Sequence, residues 1–153
     1  MVAIKPAYLR KGMRRQRFAV FAIITDAPNG SVFLVQRRGG GQQWTLPGGK
    51  AKRGETLRDA LQREVLEETG LIIEPIGLVA MIEWPVPRET RLCFHCRVLR
   101  AESLTWAHTE EIMASGYFSP SELPTSRSLA LRILVDRRPD WPFARAIPFD
   151  VVG

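Results

Sequence analysis

Apolar and polar positions fall in blocks whose period changes along the chain. Phe18 to Thr25 reads FAVFAIIT, rich in β-branched and aromatic residues, and Asp26-Ala27-Pro28-Asn29-Gly30 separates it from SVFLVQR. This pattern predicts a β-hairpin with Asn29-Gly30 in its loop. In the next segment, Arg38-Gly39-Gly40-Gly41-Gln42-Gln43, glycines could bring backbone amides to a phosphate. No lysine and serine stand at P-loop spacing, so a flexible connector is expected. From Thr56 to Thr69 the apolar spacing becomes helical, with Thr56 and Asp59 in capping-box positions and Gly70 just past the end. LIIEPIGLVAMIEW and RLCFHCRVL predict two strands connected through Pro85 and Pro87. The chain after Trp106 reads as loop as far as Tyr117-Phe118. A last helix is expected from Ser126 or Ser128 to Arg138, stopped by Pro139, with Leu129, Ala130, Ile133 and Leu134 on its buried side. Strands interleaved with two helices predict an α/β domain with a mixed sheet covered by helices, and no repeat at solenoid spacing is present.

At 153 residues, 45% hydrophobic and 25% charged, the chain suits one globular domain with a packed core and excludes a disordered or collagen-like protein. We expect a basic N-terminal arm over residues 1–16 (Lys5, Arg10, Lys11, Arg14, Arg15), the domain over 17–138, and a proline-rich aromatic tail, 139–153, packed on it. Lys plus Arg number 22 against 16 Asp plus Glu, a formal charge of +6 that favours anionic partners. No apolar run approaches a membrane span, the N-terminal segment has no signal-peptide pattern, and two cysteines cannot build a disulfide framework. A cytoplasmic protein is expected. Cys93 and Cys96 spell C-x-x-C, yet positions three apart in a strand point to opposite faces and no second pair is present, so both are read as core or edge residues. His95 and His108 have no partner spacing that suggests a metal site or a triad.

The predicted helix carries an anomaly. Leu57, Ala60 and Leu61 set an apolar stripe whose continuation lands on Glu64, Glu67 and Glu68, three carboxylates at mutually repelling spacing. Glu67 and Glu68 also stand in the last turn, where the helix dipole disfavours anions. Two local rules broken together mark a candidate functional site. A hard divalent cation, Mg²⁺ or Mn²⁺, resolves both conflicts, and substrate phosphates typically complete its octahedron. The alternative is a solvated acidic face paired with the surplus arginines. If metal is the partner, Glu67→Gln should melt no lower than the parent in its absence. Just upstream, Trp44-Thr45-Leu46-Pro47-Gly48-Gly49-Lys50 is a turn whose paired glycines permit close backbone approach to the helix.

Gly49, Glu55 after five residues, and Arg63-Glu64-Val65-Leu66-Glu67-Glu68-Thr69-Gly70-Leu71 after seven more match every fixed position of the Nudix box, with aliphatic Val65 and Leu71 at its two free hydrophobic positions. The chain therefore resembles the Nudix, or MutT-like, hydrolases from Trp44 to Leu71. The resemblance implies an α/β/α sandwich and metal-dependent hydrolysis of a nucleoside diphosphate linked to another moiety. It implies that Glu64, Glu67 and Glu68 bind the metal, that the Gly48 carbonyl is a backbone ligand, and that Arg63 and Glu55 orient them. As an alternative role for Glu64, the resemblance implies that it serves as, or holds, the base that deprotonates water. A later loop often adds a glutamate in this family, and Glu111 is the candidate, with Glu110 its neighbour.

Substrate contacts fall outside the box. Lys50 follows its first glycine, Trp84 could stack on a base, Arg88 or Arg91 could meet phosphate, and Pro87 lies near where some ADP-ribose-hydrolysing relatives carry a proline. We expect a small nucleotide as partner, with no membrane and no aromatic-basic RNA motif; a homodimer is left open. Two other readings stand beside the pyrophosphohydrolase: a non-catalytic nucleotide-binding regulatory domain, and an enzyme of RNA 5′ ends or caps, motivated by Lys11, Arg14, Arg15 and Arg17.

Overall fold

The computed structural model describes residues 16–26, 29–84, 88–102, 110–137, 141–142 and 147–148. The basic arm up to Arg15, Pro85, Pro87 and His108 lie outside them. The first hairpin forms as the pattern predicts: β1 (Arg17–Asp26) turns through Asn29-Gly30, where Asn29 Oδ1 accepts from the Ser31 N–H at 3.0 Å, into β2 (Ser31–Arg37). The two strands pair only near the turn, Thr25 with Val32 and Asp26 with Ser31. Further back along β1, β2 has departed and β4 (Gly48–Lys50) takes that edge, antiparallel, with Ala19 opposite Lys50 and Phe21 opposite Gly48. β2 instead pairs with the short β3 (Trp44–Thr45) and with β7 (Ile112–Phe118).

On its other edge β1 runs parallel to β6 (Glu89–Ala101), from Arg17 opposite Glu89 to Ile24 opposite Cys96. The long antiparallel pair of β5 (Leu71–Trp84) with β6, and β8 (Ile147–Pro148) on β5, complete an eight-stranded mixed sheet.

The two helices cover opposite faces of this sheet. Residues of even number in β1 (Val20, Ala22, Ile24) share a core with Phe33, Val35 and the Ala60, Leu61 and Val65 of α1 (Leu57–Thr69). Ile23, Val32, Leu34 and Cys93 point the other way, to Leu131 and Leu134 of α2 (Leu129–Arg137) and to Trp141. Strand alternation thus divides one apolar run between two cores, giving the α/β/α sandwich. Cys93 and Cys96 fall in different cores as expected, and burial pushes both thiols up, Cys93 to about 12. His95 is held below its ordinary value by burial and lies 3.3 Å from the Thr25 hydroxyl. No helix among the described residues is long and apolar enough to cross a membrane.

Three sequence expectations are corrected. The segment before Tyr117 is the strand β7, not loop; only Ile112 is fully buried there, and its small residues give no clear alternation. The Trp44–Lys50 turn contains β3 and β4. In α2, Leu131 is buried and Leu129 is 55% exposed, with Ala130 and Ile133 half-buried. The helix start fixes that rotation: Ser128 Oγ accepts from the Leu131 N–H and donates to Thr45 Oγ1, while the Ser128 N–H donates to the Trp44 carbonyl.

Candidate active site

Helix α1 opens as its sequence dictates, with Thr56 Oγ1 accepting from the Asp59 N–H at 3.0 Å, and closes on Gly70 in the left-handed region. Its acidic end lies beside the Gly48-Gly49 turn. Gly48 has φ 147°, and a Cβ there would meet the Val20 carbonyl at 2.0 Å. A Cβ on Gly49 would stand 2.6 Å from the Glu64 carboxyl carbon. The two glycines therefore do different things: one lets the turn press against β1, the other lets Glu64 pass into the cleft.

That cleft holds about 530 Å³, within the range of small-molecule sites. Its lining includes Gly48, Gly49, Lys50, Glu64, Arg37 and Glu111 together with Ala19, Phe21, Glu89 and Arg91. It opens where β2 leaves β1 and β4 replaces it.

Two arginines organise the carboxylates. Arg63 Nε donates to Glu55 Oε1 at 2.5 Å, Nη1 to Glu64 Oε1 at 2.8 Å and to Glu67 Oε2 at 3.3 Å, and Nη2 to the Lys50 carbonyl. With the Lys52 N–H as a second donor, Arg63 holds the Glu55 carboxyl at about 2, and Arg63 in turn stays firmly protonated. Arg37 Nη2 donates to the Gly48 carbonyl at 2.6 Å and to Glu68 Oε1 at 2.7 Å, and Nη1 lies 3.9 Å from Glu111. Glu68 is only 3% exposed, and its Oε2 accepts from the Gly48 N–H at 2.9 Å. Burial pushes its carboxyl up to about 7, against the opposing pull of Arg37 and of Gly48 N–H.

The residues expected from the sequence are thus gathered in two groups. Glu55, Glu64 and Glu67 meet Arg63, whereas Gly48, Glu68 and Glu111 meet Arg37. Glu67 is half exposed and Glu111 mostly so, and Glu110 is exposed and does not line the cleft. Lys50 and Arg91 line it. Trp84 and Arg88 do not: the Arg91 guanidinium lies 4.6 Å over the Trp84 ring, and Arg88 is exposed in the turn before β6. Trp84 therefore supports an arginine from outside the cleft.

Sequence reasoning missed Arg37, Glu89 and the lining residues Ala19 and Phe21, and it read Gly39, Gly40 and Gln43, which line the cleft, as a flexible connector. Glu89 is 4% exposed, its Oε1 accepting from Arg91 Nε at 2.7 Å. Nothing in the spacing of Arg37 signals its reach to α1, since the contact depends on how the β3–β4 turn folds back. Glu89 and Arg91 do stand two apart on a strand, which places them on one face.

The oxygen donors suit a hard divalent cation: carboxylates and one backbone carbonyl, already ordered around positive charge. As placed, no three acidic, histidine or cysteine side chains among the described residues are grouped closely enough to hold a cation alone.

A family model for the NUDIX domain matches residues 15–137, and the chain belongs to the Nudix family. It is 39% identical over 80 residues to the mouse (Mus musculus) protein named 8-oxo-dGDP phosphatase NUDT18, covering 51% of this chain and 24% of that one. The chain thus spans about a quarter of that relative's length. The zebrafish (Danio rerio) oxidized purine nucleoside triphosphate hydrolase is 32% identical over 73% of this chain and 72% of its own. Among solved structures, a NUDIX hydrolase from Nitrosomonas europaea shares the fold with a TM-score of 0.72, covering 91% of this chain and 97% of that one at 22% identity.

Proposed function

We propose that the protein is a divalent-metal-dependent pyrophosphohydrolase that cleaves the diphosphate of a nucleoside diphosphate linked to another moiety. The observation that carries this reading is the cleft whose lining Glu64, let through by Gly49, shares with Arg37, Lys50 and Arg91. A carboxylate among cationic side chains suits an anionic substrate attacked by water. Names of two relatives, an 8-oxo-dGDP phosphatase and an oxidized purine nucleoside triphosphate hydrolase, support a purine nucleoside di- or triphosphate as the substrate class.

Glu64, Glu67, Glu68, Glu111 and the Gly48 carbonyl are the residues that would hold Mg²⁺ or Mn²⁺. A bound divalent ion neutralises diphosphate charge, polarises a phosphoryl oxygen and acidifies water. Arg63 orients Glu64 through the 2.8 Å hydrogen bond and is itself fixed by Glu55. As the alternative to a place on the metal, Glu64 is the base that takes the proton of the attacking water, or holds the base that does. Lys50 and Arg91 supply charge for the phosphates, and the Phe21 side of the cleft takes the rest of the nucleotide.

The test is a phosphate- and pyrophosphate-release screen over nucleoside di- and triphosphates, oxidised purine nucleotides, ADP-ribose, dinucleotides and capped RNA. Turnover is expected with Mg²⁺ or Mn²⁺ and none in excess chelator. In ¹⁸O-water the label should enter a phosphate product. Label on a sugar hydroxyl, or full turnover with chelator, refutes the reading.

A further inference from the structure

Three of the five oxygen donors assigned to the metal meet at one guanidinium. Arg37, the last residue of β2, donates from a single nitrogen to the Gly48 carbonyl and Glu68 Oε1, at 2.6 and 2.7 Å, while its other terminal nitrogen is 3.9 Å from Glu111. A guanidinium and a divalent cation crowd one another at these oxygens. Each oxygen keeps a second lone pair, but two positive centres a few ångströms apart in a partly buried site repel strongly. Glu68 has little freedom to turn toward a cation elsewhere, because its second oxygen accepts from the Gly48 N–H. Arg37 does have somewhere to go: its side chain is 32% exposed and lines the open cleft.

We propose that Arg37 is the resident counter-cation of the metal site, holding Gly48 and Glu68 in position when metal is absent and leaving them when it binds, so that metal affinity is set by competition with this side chain. The inference rests on the metal-dependent reading above. It also accounts for the gathering of the carboxylates around arginines, Glu55, Glu64 and Glu67 at Arg63 and Glu68 and Glu111 at Arg37. The donors stay ordered without metal because a cation is always among them, at the cost of weaker metal binding.

The experiment uses the substrate-free full chain. In the ¹⁵N-arginine NMR spectrum, assigned through the signal lost in Arg37→Lys, the metal-free Arg37 guanidinium should show restricted rotation, and saturating Mg²⁺ should release it. In parallel, Mn²⁺ binding is followed by electron paramagnetic resonance at alkaline pH in the parent and in Arg37→Gln. The variant should melt lower than the parent in chelator, yet bind Mn²⁺ at least about tenfold tighter, the lower end of what displacing charge-assisted hydrogen bonds is worth. An Arg37 signal unchanged at Mg²⁺ saturation overturns the proposal, as does a variant that binds Mn²⁺ no tighter than the parent. If neither protein binds Mn²⁺, the metal reading falls with it; if the parent binds Mn²⁺ and the variant binds it no tighter, only the competition is refuted. Should Arg37→Gln fail to fold, the parent's NMR titration decides alone.

Discussion

Glu68 has both carboxylate oxygens committed, to Arg37 and to the Gly48 N–H, whereas the adjacent Glu67 is half exposed and has a share of Arg63. Glutamine in place of Glu68 must turn an NH₂ toward one of these two donors. In chelator, Glu68→Gln should therefore lose about 1–3 kcal/mol of stability by denaturant titration, and its kcat should fall by orders of magnitude. Glu67→Gln gives up one exposed ion pair and should change metal-free stability by less than about 1 kcal/mol. From the sequence, Glu67→Gln is expected to melt no lower than the parent without metal unless an arginine pairs with Glu67; Arg63 does so in part, which brings the expected difference close to zero. The paired glycines separate in the same way. Gly49→Ala meets only the end of the Glu64 side chain, which can move aside, so the protein should melt near the parent and lose activity. Gly48→Ala meets the Val20 carbonyl at an unfavourable φ, so thermal melts should show a large loss of stability.

Helix α1 was the most legible element, because its cap, apolar stripe and terminal glycine are local signals that need no tertiary partner. The rotation of α2 was not, since hydrogen bonds from Ser128 to β3, contacts between distant segments, decide which leucine is buried. Strand β7 was missed for a related reason: it is defined by pairing with β2 more than by its own composition. The loop before α1 is tied to the helix by Glu55 and Arg63, and this tie has a pH signature. The Glu55 carboxyl is lowered from 4.5 to about 2 in the folded protein, first by the Arg63 hydrogen bond and then by the Lys52 N–H. Between those values the unfolded chain binds more protons, so the contribution is complete above the unfolded value and disappears as pH falls toward the folded one. The difference in melting temperature between the parent and Glu55→Gln should therefore be constant above about pH 6 and clearly narrower by about pH 3.

At the scale of the whole molecule, the site was half legible. The Nudix box lies in one stretch of chain, so Glu55, Arg63, Glu64, Glu67 and Glu68 could be named from spacing. Arg37 and Glu89 reach the cleft only through the order of strands in the sheet, and the same order separates Arg91, which lines the cleft, from Arg88, which does not. That sheet is common to both cores, which makes the two helices thermodynamically dependent on one another. Leu134→Ala, in the α2 core, should cost about 2–5 kcal/mol and still give a single unfolding transition, coincident by circular dichroism and fluorescence. Separate transitions would show that the faces melt independently. The parallel pairing of β1 with β6 also bears on biogenesis. β1 leaves the ribosome with its apolar run complete, but the strand it needs on its second edge is roughly seventy residues downstream. Until then the nascent chain carries an unpaired, strongly apolar edge around Phe21–Ile24, a segment suited to capture by chaperones or to pairing with a neighbouring nascent chain. The arrangement that opens the cleft beside β1 thus leaves the growing polypeptide most exposed to aggregation before β5 and β6 have joined the core that α1 shares with them.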